Sequence, residues 1–121
     1  MTQEHKELLL KDLCARLPYG IRAFYYGVED EIESITLDGY IKIGKYSLPI
    51  EHIKPYLFPL SNMAEEQKMF LKQQNWCIAI STSGTIETTI EGIDWLNKNH
   101  FDYRDLIEKG LAIDATNLNI Y

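Results

Sequence analysis

Basic charge is what this chain has least of. Its 121 residues carry 12 lysines and arginines against 18 acidic side chains, a net charge of -6. Residues 1–60 hold 7 basic and 9 acidic groups and residues 61–121 hold 5 and 9, so neither half is basic. Binding to a phosphate backbone therefore lacks its usual electrostatic source, and no direct contact with nucleic acid is expected. The acidity favours solubility more than any particular partner. Because it is spread along the chain, acidic mimicry of a nucleic acid is a secondary reading.

Cysteine is scarce too. Cys14 and Cys77 lie far apart, form no CxxC pair, and sit among apolar neighbours, Leu13-Cys14-Ala15 and Trp76-Cys77-Ile78. Buried free thiols are the expectation for both. A bridge would need an oxidising compartment, and the polar start Met1-Thr2-Gln3-Glu4-His5-Lys6 opens no signal peptide. His5, His52 and His100 have no mutual spacing, and no cysteine or glutamate partner, at a metal-ligand interval. No metal, no cofactor and no catalytic group is assigned. Apolar runs reach only about five residues, well short of the ~20 a membrane span needs. A cytoplasmic protein without membrane contact is expected.

What is present suits one domain over 1–121. Leu, Ile, Val and Phe number 14, 15, 1 and 4, above the ~20% of a chain below which folding is hard. Residues 3–17 read as a helix capped by Thr2, with Leu9, Leu10, Leu13, Cys14 and Leu17 on one stripe and Pro18 with Gly20 ending it. A strand from Gly20 to Tyr26 follows, and Gly27 with Glu29-Asp30-Glu31 forms an exposed turn.

Residues 32–50 read as an antiparallel meander. Gly44-Lys45 suits a two-residue hairpin loop, which sets Ile43 opposite Tyr46 and Ile41 opposite Leu48. A two-residue loop at Asp38-Gly39 would pair Leu37 with Tyr40 and Ile35 with Lys42. A three-residue loop, Asp38 to Tyr40, pairs Leu37 with Ile41 and Ile35 with Ile43, and burial favours it. One face then carries Ile35, Leu37, Ile41, Ile43, Tyr46, Leu48 and Ile50.

Pro55 and Pro59 make 53–60 an extended or single-turn connection lying over the sheet. Asn62 is expected to cap a helix to about Gln74, with Glu65 and Glu66 in its first turn. Trp76–Ser81 and Thr85–Glu87 read as strands about a Ser83-Gly84 turn. Thr88 with Glu91 forms a capping box for a helix to about Lys98, and Asp102 caps a last short helix that Gly110 closes. Thr82-Ser83-Gly84-Thr85 looks like the start of a phosphate loop, but no lysine follows, and a turn accounts for it better.

Phe24, Tyr25, Tyr26, Tyr40, Tyr46, Tyr56 and Phe58 crowd the sheet region. Successive strand residues face opposite sides, so Tyr25 cannot share a face with Phe24 and Tyr26, and some rings lie outside the core. They form either a second packed layer or a contact surface of the kind enriched in protein interfaces. Tyr56 and Phe58, with Lys54 at the rim, are the candidate partner-binding residues, since the flanking prolines already restrict the segment.

Three segments, KDLCARLPYG (11–20), IEHIKPYLFPLSNM (50–63) and IDWLNKNHFDYRDLIEKGLAIDA (93–115), resemble a family of small uncharacterised proteins from gut Bacteroidales genomes and their phages or prophages. That family would carry Arg in place of Phe58 and Gly in place of Asp105. The match is weaker over 21–48 and 64–92. The resemblance implies a bacterial or phage intracellular protein, with a mobile element among its expected sources, and carries over no functional residue.

The sequence thus leads to an α+β fold: an N-terminal helix, an antiparallel meander or small open barrel of about four strands, and C-terminal helices packed on it. The preferred function is a non-enzymatic protein-binding or adaptor role, toward another protein or a second copy of the chain. An acidic inhibitor of a nucleic-acid-handling protein is the alternative and a small enzyme the third reading.

Overall fold

Helix α1 (Gln3–Arg16) starts at the expected cap, where Thr2 Oγ1 accepts from the His5 N–H at 3.1 Å in a computed structural model that describes residues 1–80 and 86–121, and side chains outside 77–87. Its buried face is Leu9, Asp12, Leu13 and Arg16, at i, i+3, i+4 and i+7. The expected stripe is corrected: Leu10 and Leu17 are half-buried and Cys14 is exposed. The Asp12–Arg16 ion pair turns inward, which rotates the apolar letters at the stripe's margin outward. A 3₁₀ turn, Leu17–Tyr19, and Gly20 at φ +79° close the helix.

The main sheet holds β1 (Arg22–Tyr25), β2 (Val28–Ile35), β3 (Tyr40–Ile43), β4 (Tyr46–Pro49), β5 (Lys54–Pro59), β8 (Phe101–Asp102) and β9 (Ile113–Asp114). Its order is β4-β3-β2-β1-β5-β8, with β9 also on β5. β6 (Cys77–Ile80) and β7 (Ile86–Thr88) form a separate ribbon, and α2 (Glu65–Gln73) and α3 (Ile90–Lys98) complete the fold. The α+β class stands. The sheet is larger than expected, mixed rather than purely antiparallel, and open.

Several local expectations are corrected. The turn after β1 is Tyr26-Gly27, with both residues at positive φ (47° and 80°) and Tyr25 opposite Val28, so Glu29-Asp30-Glu31 lies inside β2. Ile35 pairs with Ile41 and Ile32 with Ile43, across an irregularity between Ile32 and Ser34. The loop keeps the expected three residues but falls one position earlier, at Leu37 to Gly39, where the Thr36 N–H donates to the Tyr40 carbonyl at 2.9 Å. A bulge on β2 then shifts the register so that Ile32, not Glu33, faces Ile43. Leu37 is left wholly exposed at the loop tip. The β3–β4 register, Ile43 with Tyr46 and Ile41 with Leu48, is as expected.

The Lys54–Pro59 segment is an interior strand, not an overlying connection. It is antiparallel to β1 (Ala23 with Pro55, Phe24 with Lys54) and parallel to β9 and β8 (Tyr56 with Ile113, Phe58 with Phe101). Pro55 and Pro59 are each the last residue of a two-residue pairing, with Ala23 and Asp102, so their missing N–H groups interrupt no longer ladder. The β1 register would next set Arg22 opposite Tyr56. There the Tyr121 hydroxyl intervenes, accepting from the Arg22 N–H and donating to the Tyr56 carbonyl, both at 2.9 Å.

Helix α2 is capped at Ala64, whose N–H donates to Gln67 Oε1, not at Asn62. Thr89, not Thr88, caps α3 by accepting from the Gly92 N–H. No helix forms at 102–110. Asp102 accepts from the Leu106 and Ile107 N–H groups, but Asp105 at φ +57° breaks the turn before a helix propagates. The expected turn and loop at Thr82–Thr85 lie outside the described residues, as does the side chain of Cys77.

Two cores result. Leu9, Leu13, Ile21, Ala23, Tyr25, Ile41, Ile43, Ile53, Leu57 and Leu106 form the larger one between α1 and the sheet. Leu60, Met63, Leu71, Leu96 and Phe101 form the smaller one, and Phe58 and both tryptophans pack on it. Leu57 and Phe58, successive on β5, thus serve opposite cores, as strand alternation requires.

Candidate partner-binding surface

Of the residues singled out from sequence, Lys54 is exposed, Tyr56 is buried at 7% exposure, and Phe58 is half-buried. Phe58 lies 6.3 Å from Phe101 and 6.0 Å from Tyr121 by ring centroid. Burial next to Glu29 raises the Tyr56 hydroxyl pKa. The segment therefore offers Lys54 and part of Phe58 at the surface, while the Tyr56 ring is a packing element. Lys54 is paired with Phe24, which is more than a third exposed.

A denser aromatic group lies at the β1–β2 turn. Tyr26 and Tyr46 are 62% and 53% exposed, with ring centroids 6.4 Å apart at 90°. Each also packs edge-on against the buried Tyr25 ring, at 6.3 and 6.0 Å. His52, from the 3₁₀ turn before β5, lies 5.7 Å from Tyr26, and its Nδ1 is 3.4 Å from the Tyr26 hydroxyl. Edge-to-face contacts of this kind hold exposed rings in place. Gly44 makes room beneath them, since a β-carbon there would stand 2.4 Å from Tyr25 Oη. Burial and the Asp30 carboxylate raise the Tyr25 pKa, so its hydroxyl stays protonated at neutral pH.

Charges beside these rings are largely paired. Arg22 Nη2 donates to Glu29 Oε2 at 3.0 Å, with a second bond from Nε, which lowers the Glu29 pKa and raises that of Arg22. Lys42 reaches Glu33 at 3.5 Å. Lys6 holds Glu51 at 2.9 Å and lowers its pKa.

A second polar cluster was not read from the sequence. Arg16 Nε donates to Asp12 Oδ2 at 2.8 Å, and Arg16 Nη2 donates to Asp12 and to the Phe101 carbonyl, while Arg104 reaches Asp12 Oδ1 at 2.7 Å. Tyr103 lies under both guanidiniums, 5.2 and 4.7 Å from its ring centroid. His100, at φ +63°, stacks on Tyr121 at 3.5 Å, and burial followed by the Arg16 charge lowers its pKa to about 4. Burial pushes the Tyr121 hydroxyl pKa upward. The i,i+4 spacing of Asp12 and Arg16 was the available signal. Arg104 comes from a distant loop that no periodicity announces.

Among the described residues no group of three or more His, Cys, Asp or Glu side chains is placed to hold a metal ion, and no helix is long and apolar enough to cross a membrane. No family model, curated protein or solved structure matches the chain.

Proposed function

We propose that this is a non-enzymatic protein-binding or adaptor protein whose contact surface is centred on Tyr26 and Tyr46, with Phe24 and Lys54 beside them. The observation that carries the reading is the backbone of Tyr26. The first position of a Tyr26-Gly27 turn with two positive φ angles favours Asn, Asp or Gly. A tyrosine at φ +47° carries a steric cost there and spends it on an exposed ring. Strain kept at an exposed aromatic points to use of that ring. Tyrosine supplies contact area at low conformational cost, and rings already held edge-on lose little freedom on binding.

The partner is another protein with a basic face, since the chain carries -6 and Asp30 and Glu31 on β2 pair with no basic side chain among the described residues. Glu29 and Glu33 are each neutralised by a neighbouring cation, which supports this reading over a row of carboxylates acting as phosphate mimics. The resemblance of 11–20, 50–63 and 93–115 to gut Bacteroidales and phage proteins supports a bacterial or phage cytoplasmic setting. The test is affinity capture from a Bacteroidales lysate with wild type and with Tyr26→Ala/Tyr46→Ala, read by mass spectrometry. A protein enriched by wild type and lost from the double variant is expected. Identical recovery on both baits, from a double variant that still melts cooperatively, would sink the proposal.

A further inference from the structure

Gly92 places a helix against a tryptophan. A β-carbon at this helix-interior glycine would stand 2.6 Å from the Trp76 carbonyl oxygen, so only glycine lets the first turn of α3 come this close. The Thr88 hydroxyl donates to the same carbonyl and the Thr89 N–H donates to it at 2.9 Å, which fixes the approach. Trp95, one turn along α3, is thereby brought to the Trp76 side, and Phe70 spans the two at centroid distances of 5.7 and 6.3 Å. Tyr19, on the turn after α1, also lines the groove, with 39% of its surface exposed. The result is a groove of about 310 Å³ lined by Tyr19, Trp76, Trp95, Glu91, Asp94 and Lys98.

The lining selects a charge sign. Glu91 and Asp94 are three residues apart on α3 and share a face. Neither pairs with a basic side chain among the described residues. The two carboxylates outweigh Lys98, the one cation of the lining, which makes no ion pair with either. A neutral apolar ligand would desolvate both carboxylates without compensation, and an anion would be disfavoured. A cation meets two carboxylates beside the rings of Tyr19, Trp76 and Trp95, the last stacked on Phe101 on one side at 5.7 Å, the combination in which cation–π attraction and charge pairing act together. The volume sits at the small end of ligand sites, right for one head group. We propose that this groove binds an organic cation, a guanidinium or alkylammonium head, independently of the Tyr26–Tyr46 surface.

The two tryptophans of the groove are the only two in the chain, so tryptophan fluorescence, excited at the red edge where the tyrosines do not absorb, reports this site. The full chain is titrated at constant ionic strength with choline chloride, with a short arginine-containing peptide, and with 3,3-dimethylbutanol, the neutral isostere of choline. A saturable change with at least one cation and none with the alcohol is expected, weakened about tenfold or more in Glu91→Gln/Asp94→Asn. Saturation by choline identifies a free quaternary ammonium ligand, and saturation by the peptide alone identifies a partner's side chain. A double variant that melts like wild type yet binds the cation equally well would overturn the proposal. So would an equal response to the alcohol, or no saturable response to either cation.

Discussion

Asp12 and Arg16, one turn apart on α1, form an ion pair at 2.8 Å with both side chains fully buried. Arg104 binds the same carboxylate from the loop after β8. Asp12 therefore fastens the N-terminal helix to the C-terminal third of the chain.

Removing that carboxylate leaves two guanidiniums without their shared counter-charge. Asp12→Ala is expected to cost about 3–5 kcal/mol, the usual range for breaking one side of a buried pair. Urea unfolding with a midpoint close to wild type would show that the pair contributes little.

Two glycines separate backbone strain from steric clash. Gly44 and Gly39 both have positive φ, 57° and 84°, but a β-carbon at Gly39 meets nothing within 4 Å, whereas one at Gly44 meets Tyr25 Oη. Gly39→Ala should cost about 1–2 kcal/mol for the conformation alone, and Gly44→Ala distinctly more. Equal losses in thermal unfolding would mean that Tyr25 moves aside freely.

The depressed His100 pKa fixes a direction with pH. Between pH 6.5 and about 4 the unfolded state binds a proton at this histidine that the folded state refuses. Stability is lost as pH falls through that window and stays lost below it. Glu29 and Glu51, with lowered pKa values, also lose stabilisation on acidification, at lower pH. His100→Asn, which tolerates positive φ, should therefore lose less stability than wild type between pH 7 and pH 5. Parallel profiles for the two proteins would contradict the assignment.

Phe58 offers a test of where the β5 rings belong. Phe58→Ala is expected to cost about 2–4 kcal/mol, below a fully buried phenylalanine because the ring is only half covered. Lys54→Ala should change stability by less than about 0.5 kcal/mol. A neutral Phe58→Ala would place the ring outside the smaller core.

What was legible in the sequence was mostly local. Thr2 announces α1, and Gly44-Lys45 sets the β3–β4 register, because cap and turn chemistry act within a few residues. Strand alternation correctly separated Tyr25 from its exposed neighbours Phe24 and Tyr26. The bulge on β2 was not legible, because Glu33 looks like any polar strand residue. β8 and β9 are two residues each, too short to show a period, so β5 could not be seen as an interior strand before its partners were known. The loss of burial at Cys14 follows from Asp12 and Arg16 pairing inward, a tertiary outcome that letters alone do not order. The exposed tyrosine pair was legible as an aromatic excess, but its place required knowing that the turn falls at Tyr26-Gly27.

The binding surface is tested most directly by Tyr26→Asn, assayed for thermal stability and for capture of the partner in one preparation. Asn followed by Gly suits the turn that Tyr26 occupies under strain. The expected result is a melting temperature equal to or above that of wild type together with lost or much weakened capture. A variant that melts as high as wild type and captures the partner undiminished would contradict the proposed use of Tyr26.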